Sequence, residues 1–142
     1  TIYCLQQVLP SMKKQGFGAI VLMASDQAFV AKEQCAIYGA TKAAIAQLAK
    51  STALDYATYG IRVNCVCPGT IDTPMYQAVI SQFQQKTGLA ASLIREQVAK
   101  KLPLQRVGKP EEVAELVGFL CSEASSFMTG ALINIDGGYT IQ

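Results

Sequence analysis

Histidine is absent from this chain, which removes the imidazole that would complete a zinc set. The five cysteines are an odd number and lack metal-ligand spacing. Cys65 and Cys67 alternate along an apolar run, so they share one face as small core residues. Free thiols in a reducing cytosol, a cytoplasmic protein and no bound metal are therefore expected. Charge is scarce as well, at 15% of residues with a formal net of +2, too little to point to any partner. The lysine pairs Lys13–Lys14 and Lys100–Lys101 fit solvated helix faces, not a nucleic-acid groove or an anionic membrane. Long hydrophobic runs are missing too: 19–24 is among the longest and is far too short to span a bilayer. No secretory leader, internal repeat or low-complexity segment is read. What remains is 51% apolar over 142 residues, a composition for one compact domain, 1–142, with a real core.

The opening Thr1-Ile-Tyr-Cys-Leu-Gln-Gln-Val-Leu9 reads as the middle of a buried helix with no cap before it, so a preceding segment is expected. Ile2, Leu5, Val8 and Leu9 fall at helical spacing, and the pattern runs to Gln15 before Gly16-Phe-Gly18 breaks it. The short run 19–24 is rich in strand formers and suits a parallel strand buried on both faces. After a loop of about ten residues comes a long helix over 37–59, ended by Gly60. Its small apolar face, Ala40, Ala43, Ala44, Leu48 and Leu54, invites close approach of another element. A second strand over 61–67 stops at Pro68-Gly69. Helical pieces follow over 74–101, interrupted at 86–88 in a stretch that looks mobile. Lys109-Pro-Glu-Glu-Val113 opens a further helix with proline and carboxylates in its first turn, ending near Ser122. A last strand, 132–135, is closed by Asp136-Gly-Gly138. Strands alternating with helices predict an α/β fold with a parallel sheet covered on both faces.

In such sheets ligands sit outside the carboxyl ends of the strands. Ser25 lies at the end of the first strand, Pro68-Gly-Thr-Ile-Asp-Thr73 follows the second, and Tyr38 begins the helix between them. Lys42, four residues on, shares a helix face with Tyr38. A free tyrosine has a pKa near 10, and a neighbouring ammonium lowers such a value by favouring the phenolate. The pair could then trade a proton with a carbonyl or alcohol oxygen that Ser25 holds in place. The Tyr-x-x-x-Lys spacing alone is weak evidence, since an interfacial tyrosine beside a solvated lysine gives the same pattern. Likewise, a lone serine at a strand end is more often a turn residue.

Ser25, thirteen residues before Tyr38-Gly-Ala-Thr-Lys42, resembles the active site of the short-chain dehydrogenase/reductase family. Gly60-Ile-Arg-Val-Asn-Cys-Val-Cys-Pro-Gly-Thr-Ile-Asp-Thr-Pro74 is similar to that family's strand and cofactor loop. Pro103-Leu-Gln-Arg-Val-Gly-Lys-Pro-Glu-Glu-Val-Ala114, Ser125-Ser-Phe-Met-Thr-Gly130 and Ile135-Asp-Gly-Gly138 resemble its late loop, helix and closing strand. The resemblance implies a Rossmann-type, doubly wound parallel sheet, of which this would be the C-terminal half. It implies NAD or NADP as cofactor and an alcohol or ketone as substrate. Tyr38 would be the acid/base, Lys42 would hold the nicotinamide ribose, and Ser25 would orient the substrate oxygen. Pro68 and Gly69 would shape a loop whose backbone at Ile71 faces the carboxamide, with Asp72, Thr73 and Pro74 lining it. Residues 75–101 would be a variable flap, and the helices over 1–15 and 37–59 would build a homodimer or homotetramer.

Features expected of the whole family do not occur in these residues: the glycine-rich phosphate loop, the NAD/NADP selector and the Asn-Ala-Gly motif. Roughly 110 residues would precede the chain on the doubly wound plan. Within the family the loop motif looks closest to type-2 hydroxybutyrate and keto-deoxy-sugar-acid dehydrogenases. A cation should then meet a substrate carboxylate, with Lys32, Lys86 and Arg95 as candidates, and Cys35 where that branch tends to place an arginine. Gln27 could donate to a substrate hydroxyl or close a turn. A sugar, a polyol or a ketoacyl thioester are the other substrates to weigh. Two readings compete with an enzyme: a non-catalytic dinucleotide-binding relative, and a short protein that binds a partner through an exposed sheet edge.

Overall fold

In the computed structural model, which describes residues 1–142, strands β1 (Gly18–Met23), β2 (Ile61–Pro68) and β3 (Leu132–Ile135) form one sheet in that order, all parallel. Helix α1 (Ile2–Gln15) precedes β1, and α2 (Ala36–Tyr56) links β1 to β2. Between β2 and β3 lie α3 (Pro74–Thr87), α4 (Ala91–Lys100) and α5 (Pro110–Cys121). The expected α/β class with a parallel sheet is what is observed. No helix is long and apolar enough to cross a membrane.

Central strand β2 explains its own sequence. It is covered on both faces, so its apolar residues need not alternate with polar ones. Ile61, Val63, Cys65 and Cys67 point to α1 and α2, where they meet Leu5, Leu9, Ala46, Ala49 and Ala53 in the main core. Arg62, Asn64 and Val66 point the other way, beside α5. The two polar residues on that face are fully employed. Arg62 donates to the carbonyls of Leu120 and Ser122 at the end of α5, to the Met128 carbonyl and to Ser125 Oγ, all at 3.1–3.2 Å, tying that helix end and the turn after it to β2. Asn64 donates to Met128 O at 2.9 Å and accepts from the Ala131 N–H at 3.1 Å.

Two expectations need correction. The α2 face that packs is Ala46, Ala49 and Ala53, whereas Ala40, Ala43, Ala44 and Leu54 are exposed and only Leu48 of the anticipated set touches the core. Alanine runs round the whole helix, so the 3.6-residue period singles out no face. The helical pieces expected over 74–101 are present as α3 and α4, with a small core of their own from Tyr76, Ile80 and Ile94, and the break falls where expected, at Gly88 with φ 72°. Helix α2 also stops three residues early, and a 3₁₀ turn, Ala57–Tyr59, carries the chain to Gly60. Gly60 takes φ 70°, and a Cβ there would run into the Gly16 carbonyl.

The loop before α5 is clamped by charge. Glu112 accepts two hydrogen bonds from Arg106, at 2.8 and 2.6 Å, and one from the Lys109 N–H at 2.7 Å. Hydrogen bonding from Arg106, then from Lys109, holds its carboxyl down to about 2 from an ordinary 4.5. A carboxyl whose folded value is depressed adds stability above its unfolded value and loses it as pH falls through the folded one. The stability gap between wild type and Glu112→Gln is therefore expected to be constant above pH 4.5 and to close towards pH 2. Denaturant titrations across that range check it, and a gap that stays open in acid would place its origin elsewhere.

Candidate active site

The carboxyl ends of β1 and β2 and the first turns of α2, α3 and α5 enclose a cavity of about 470 Å³. Ser25, Tyr38, Lys42, Pro68, Gly69, Ile71, Thr73 and Pro74 line it, together with Met23, Met75 and Val113. A larger recess, about 680 Å³, opens at the opposite end of the strands between Met12, Phe17, Arg62 and Cys121. Its one charged donor, Arg62, is spent on α5, so the chemistry concentrates in the first.

Each wall follows from local structure. Tyr38 and Lys42 stand one turn apart on α2, with the Lys42 ammonium 5.5 Å from the centre of the tyrosine ring. The same ammonium donates to the Met23 carbonyl at 3.3 Å, pinning α2 to the end of β1. Ser25 caps a 3₁₀ turn, Asp26–Ala28, accepting from the Gln27 N–H at 3.3 Å. Thr73 is the N-cap of α3 and accepts from the Tyr76 N–H at 3.3 Å. Gly69 is required by packing, because a Cβ there would stand 2.8 Å from Asp136 Cα. Asp136 in turn accepts from Gly138 N and from Thr140 N and Oγ1. Burial pushes its pKa up, but these hydrogen bonds outweigh it and leave the carboxyl below the usual range. The Asp-Gly-Gly motif therefore props the loop from behind. Ile71 forms a parallel bridge to Gly108, a residue whose Cβ would collide with the Ile71 side chain. The Ile71 N–H donates to no protein acceptor.

Asp72 is not brought into this set. Its side chain turns from the cavity towards Gln77 and Arg95, and its N–H donates to Gly108 O. The three cations expected to meet a substrate carboxylate are elsewhere as well. Lys32 is paired with Asp26 at 2.7 Å and lies over the Tyr139 ring, Arg95 is engaged by Asp72 and Gln77, and Lys86 sits exposed in the last turn of α3. Lys42 is the cavity's only cation. Gln27 and Cys35 line a separate recess on the other side of the start of α2, so of the two roles considered for Gln27 its backbone fills the turn-closing one. Cys65 and Cys67 are fully buried with sulfurs 4.0 Å apart. The hydrogen bond between them, then burial, drives the Cys67 pKa upward, which keeps that thiol protonated in the core.

Sequence reasoning missed Asp26. It is 2% exposed, accepts from Ser25 Oγ at 2.8 Å and is ion-paired to Lys32. An acidic residue directly after a strand-end serine, with lysine six positions on, was the available signal.

Comparison with known proteins agrees with this geometry. A family model described as enoyl-(acyl carrier protein) reductase matches residues 1–140. Cis-4-hydroxycyclohexanecarboxylate dehydrogenase of Sinomonas cyclohexanicum is 42% identical over 137 residues, which is 96% of this chain and 51% of that protein. Among solved structures, a short chain dehydrogenase family protein from Francisella tularensis superposes with a TM-score of 0.86 at 50% identity, covering 89% of this chain and 52% of that one. A gluconate 5-dehydrogenase from Burkholderia cenocepacia, solved with NADP and tartrate, gives a TM-score of 0.86 at 33% identity over 97% of this chain and 51% of its own. The chain spans between 40% and 51% of the length of the curated relatives it matches.

Proposed function

Since the chain belongs to the short-chain dehydrogenase/reductase family, we propose that the full-length protein is an NAD- or NADP-dependent oxidoreductase acting on a small alcohol or ketone. The observation that carries this reading is the single cavity shared by Ser25, Tyr38, Lys42 and the loop over 68–74. That lining suits the nicotinamide end of the cofactor: an ammonium for ribose hydroxyls, a free backbone N–H at Ile71 for the carboxamide, and apolar walls from Pro68, Ile71 and Val113. When bound, the nicotinamide supplies or takes up the hydride. Tyr38 gives a proton to the substrate oxygen or removes one from it. Lys42 sets positive charge beside that phenol and, through Met23 O, keeps its own place. Ser25 holds the substrate oxygen against Tyr38.

Nothing besides Lys42 offers a charge to a substrate carboxylate, so the reading is an alcohol or ketone, not specifically a hydroxy acid or sugar acid. A homodimer or homotetramer through the exposed Ala40, Ala43, Ala44 and Leu54 face of α2 belongs to the same proposal. The test is Lys42→Met in the full-length protein. Loss of charge-assisted hydrogen bonds predicts roughly 10- to 100-fold weaker NAD or NADP binding, read by calorimetric titration, with turnover falling as well. Undiminished cofactor affinity would remove Lys42 from the site. Cofactor binding by wild type without turnover of any alcohol or ketone would favour the non-catalytic relative.

A further inference from the structure

Helix α3 carries one step more, which rests on the oxidoreductase reading. We propose that the substrate bears an apolar tail, and that this tail lies along an uncovered face of α3 made by Met75, Val79 and Phe83.

The helix starts at the cavity rim, where Thr73 caps it and its first residues, Pro74 and Met75, line the cavity. One of its apolar faces is already covered, because Tyr76 and Ile80 are buried against Ile94 of α4. A second apolar row lies beside that face. Met75, Val79 and Phe83 fall at i, i+4 and i+8, so their side chains follow one another along the helix. They stay 71%, 54% and 48% exposed, although the helix pair is packed without them. Large apolar side chains in an open row mark a surface that meets something apolar.

Continuity decides what that is. Met75 belongs both to the row and to the cavity, so the row begins where Ser25 and Tyr38 face the substrate. A rise of 1.5 Å per residue puts its far end ~12 Å away, about the reach of an extended decyl chain. Gln84, Gln85 and Lys86 follow there, and the apolar surface stops. At the near end Asp72, Gln77 and Arg95 are bonded to one another. Hydroxyls or charges along the tail would meet methionine, valine and phenylalanine side chains, which offer them no donor. Methylenes would leave water against the same surface, which is favourable.

The test is a series of secondary alcohols, 2-butanol, 2-hexanol and 2-octanol, oxidised by the full-length protein with NAD and with NADP. A methylene laid on an open apolar face is partly removed from water, so kcat/KM should rise roughly twofold per added carbon. The double variant Val79→Gln/Phe83→Gln removes the row, keeps Met75 in the cavity wall and puts a good helix former at both exposed positions. Its 2-octanol-to-2-butanol ratio of kcat/KM should fall by roughly tenfold, towards unity. General damage would slow both alcohols alike and leave that ratio as it was. Phe83→Gln alone should lower the ratio part of the way, which covers the case in which the double variant folds poorly. A wild type that oxidises 2-butanol as well as it does 2-octanol overturns the inference, and so does an unchanged ratio in the folded variants. Sedimentation showing smaller oligomers in the variants, with the ratio intact, would give the row to a second copy of the chain and also overturn it. A wild type that oxidises none of the series with either cofactor overturns the oxidoreductase reading, and the inference falls with it.

Discussion

Phenylalanine in place of Tyr38 is expected to cut turnover of the full-length protein by about 10²–10⁴-fold, the usual worth of a positioned acid/base, while cofactor affinity stays within a few-fold. The substitution keeps the aromatic ring and so keeps the cavity wall between Ser25 and Lys42. Tyr38 is 40% exposed, so losing one oxygen there costs the fold little. Lys42 retains its bond to the Met23 carbonyl, which does not depend on the phenol. What disappears is the only hydroxyl on α2 that lines the cavity. Single-turnover kinetics beside a cofactor titration separate the two effects. Retained turnover with intact cofactor binding would take Tyr38 out of proton transfer and leave the cavity without an evident acid.

The second large effect concerns stability. Asn64 is 1% exposed and satisfies two backbone groups at once, the Met128 carbonyl and the Ala131 N–H. Leucine has similar bulk but serves neither. The Met128 carbonyl keeps its hydrogen bond from Arg62, so the Ala131 N–H is the group left orphaned, and Asn64→Leu should lose roughly 1–3 kcal/mol of the 5–15 kcal/mol typical of a domain. The loss falls where the chain enters β3, and β3 is held to β2 by only four residue pairs. A shifted denaturation midpoint with an unchanged slope is the expected result. A loss under about 1 kcal/mol would mean that the 128–131 turn has found other partners.

What could be read in advance was local. The runs at 19–24 and 61–67 were legible as strands because apolar residues are bounded by Gly and Pro breakers. Ser25, Tyr38 and Lys42 were legible through the resemblance of their surrounding motifs to a known family, their spacing alone being weak evidence, and the structure brings them to one cavity. The failures are of long reach or of too little pattern. Asp72 sits inside the loop motif, yet its charged partner Arg95 lies on α4, beyond the whole of α3, so no spacing rule could turn it outward. Arg62 finds its acceptors 58 to 66 residues away, and the sequence there offers only ordinary helix-end residues. In α2 the abundance of alanine hid which face packs. Lys32 read as a free cation because the acid that claims it, Asp26, is brought near by a turn inside an irregular loop.

The cysteines also amount to a set of depth markers. Cys4 and Cys121 lie at the surface, Cys35 is half-buried, and Cys65 and Cys67 have no exposed surface at all. An alkylating reagent meets the outer thiols at its own chemical pace, but it meets the inner pair only when the middle of the sheet comes apart. Because those two sulfurs lie next to each other on the central strand, they record one event and not two. The rate at which they are modified is thus a stopwatch for opening of β2, built into the strand that also carries Asn64.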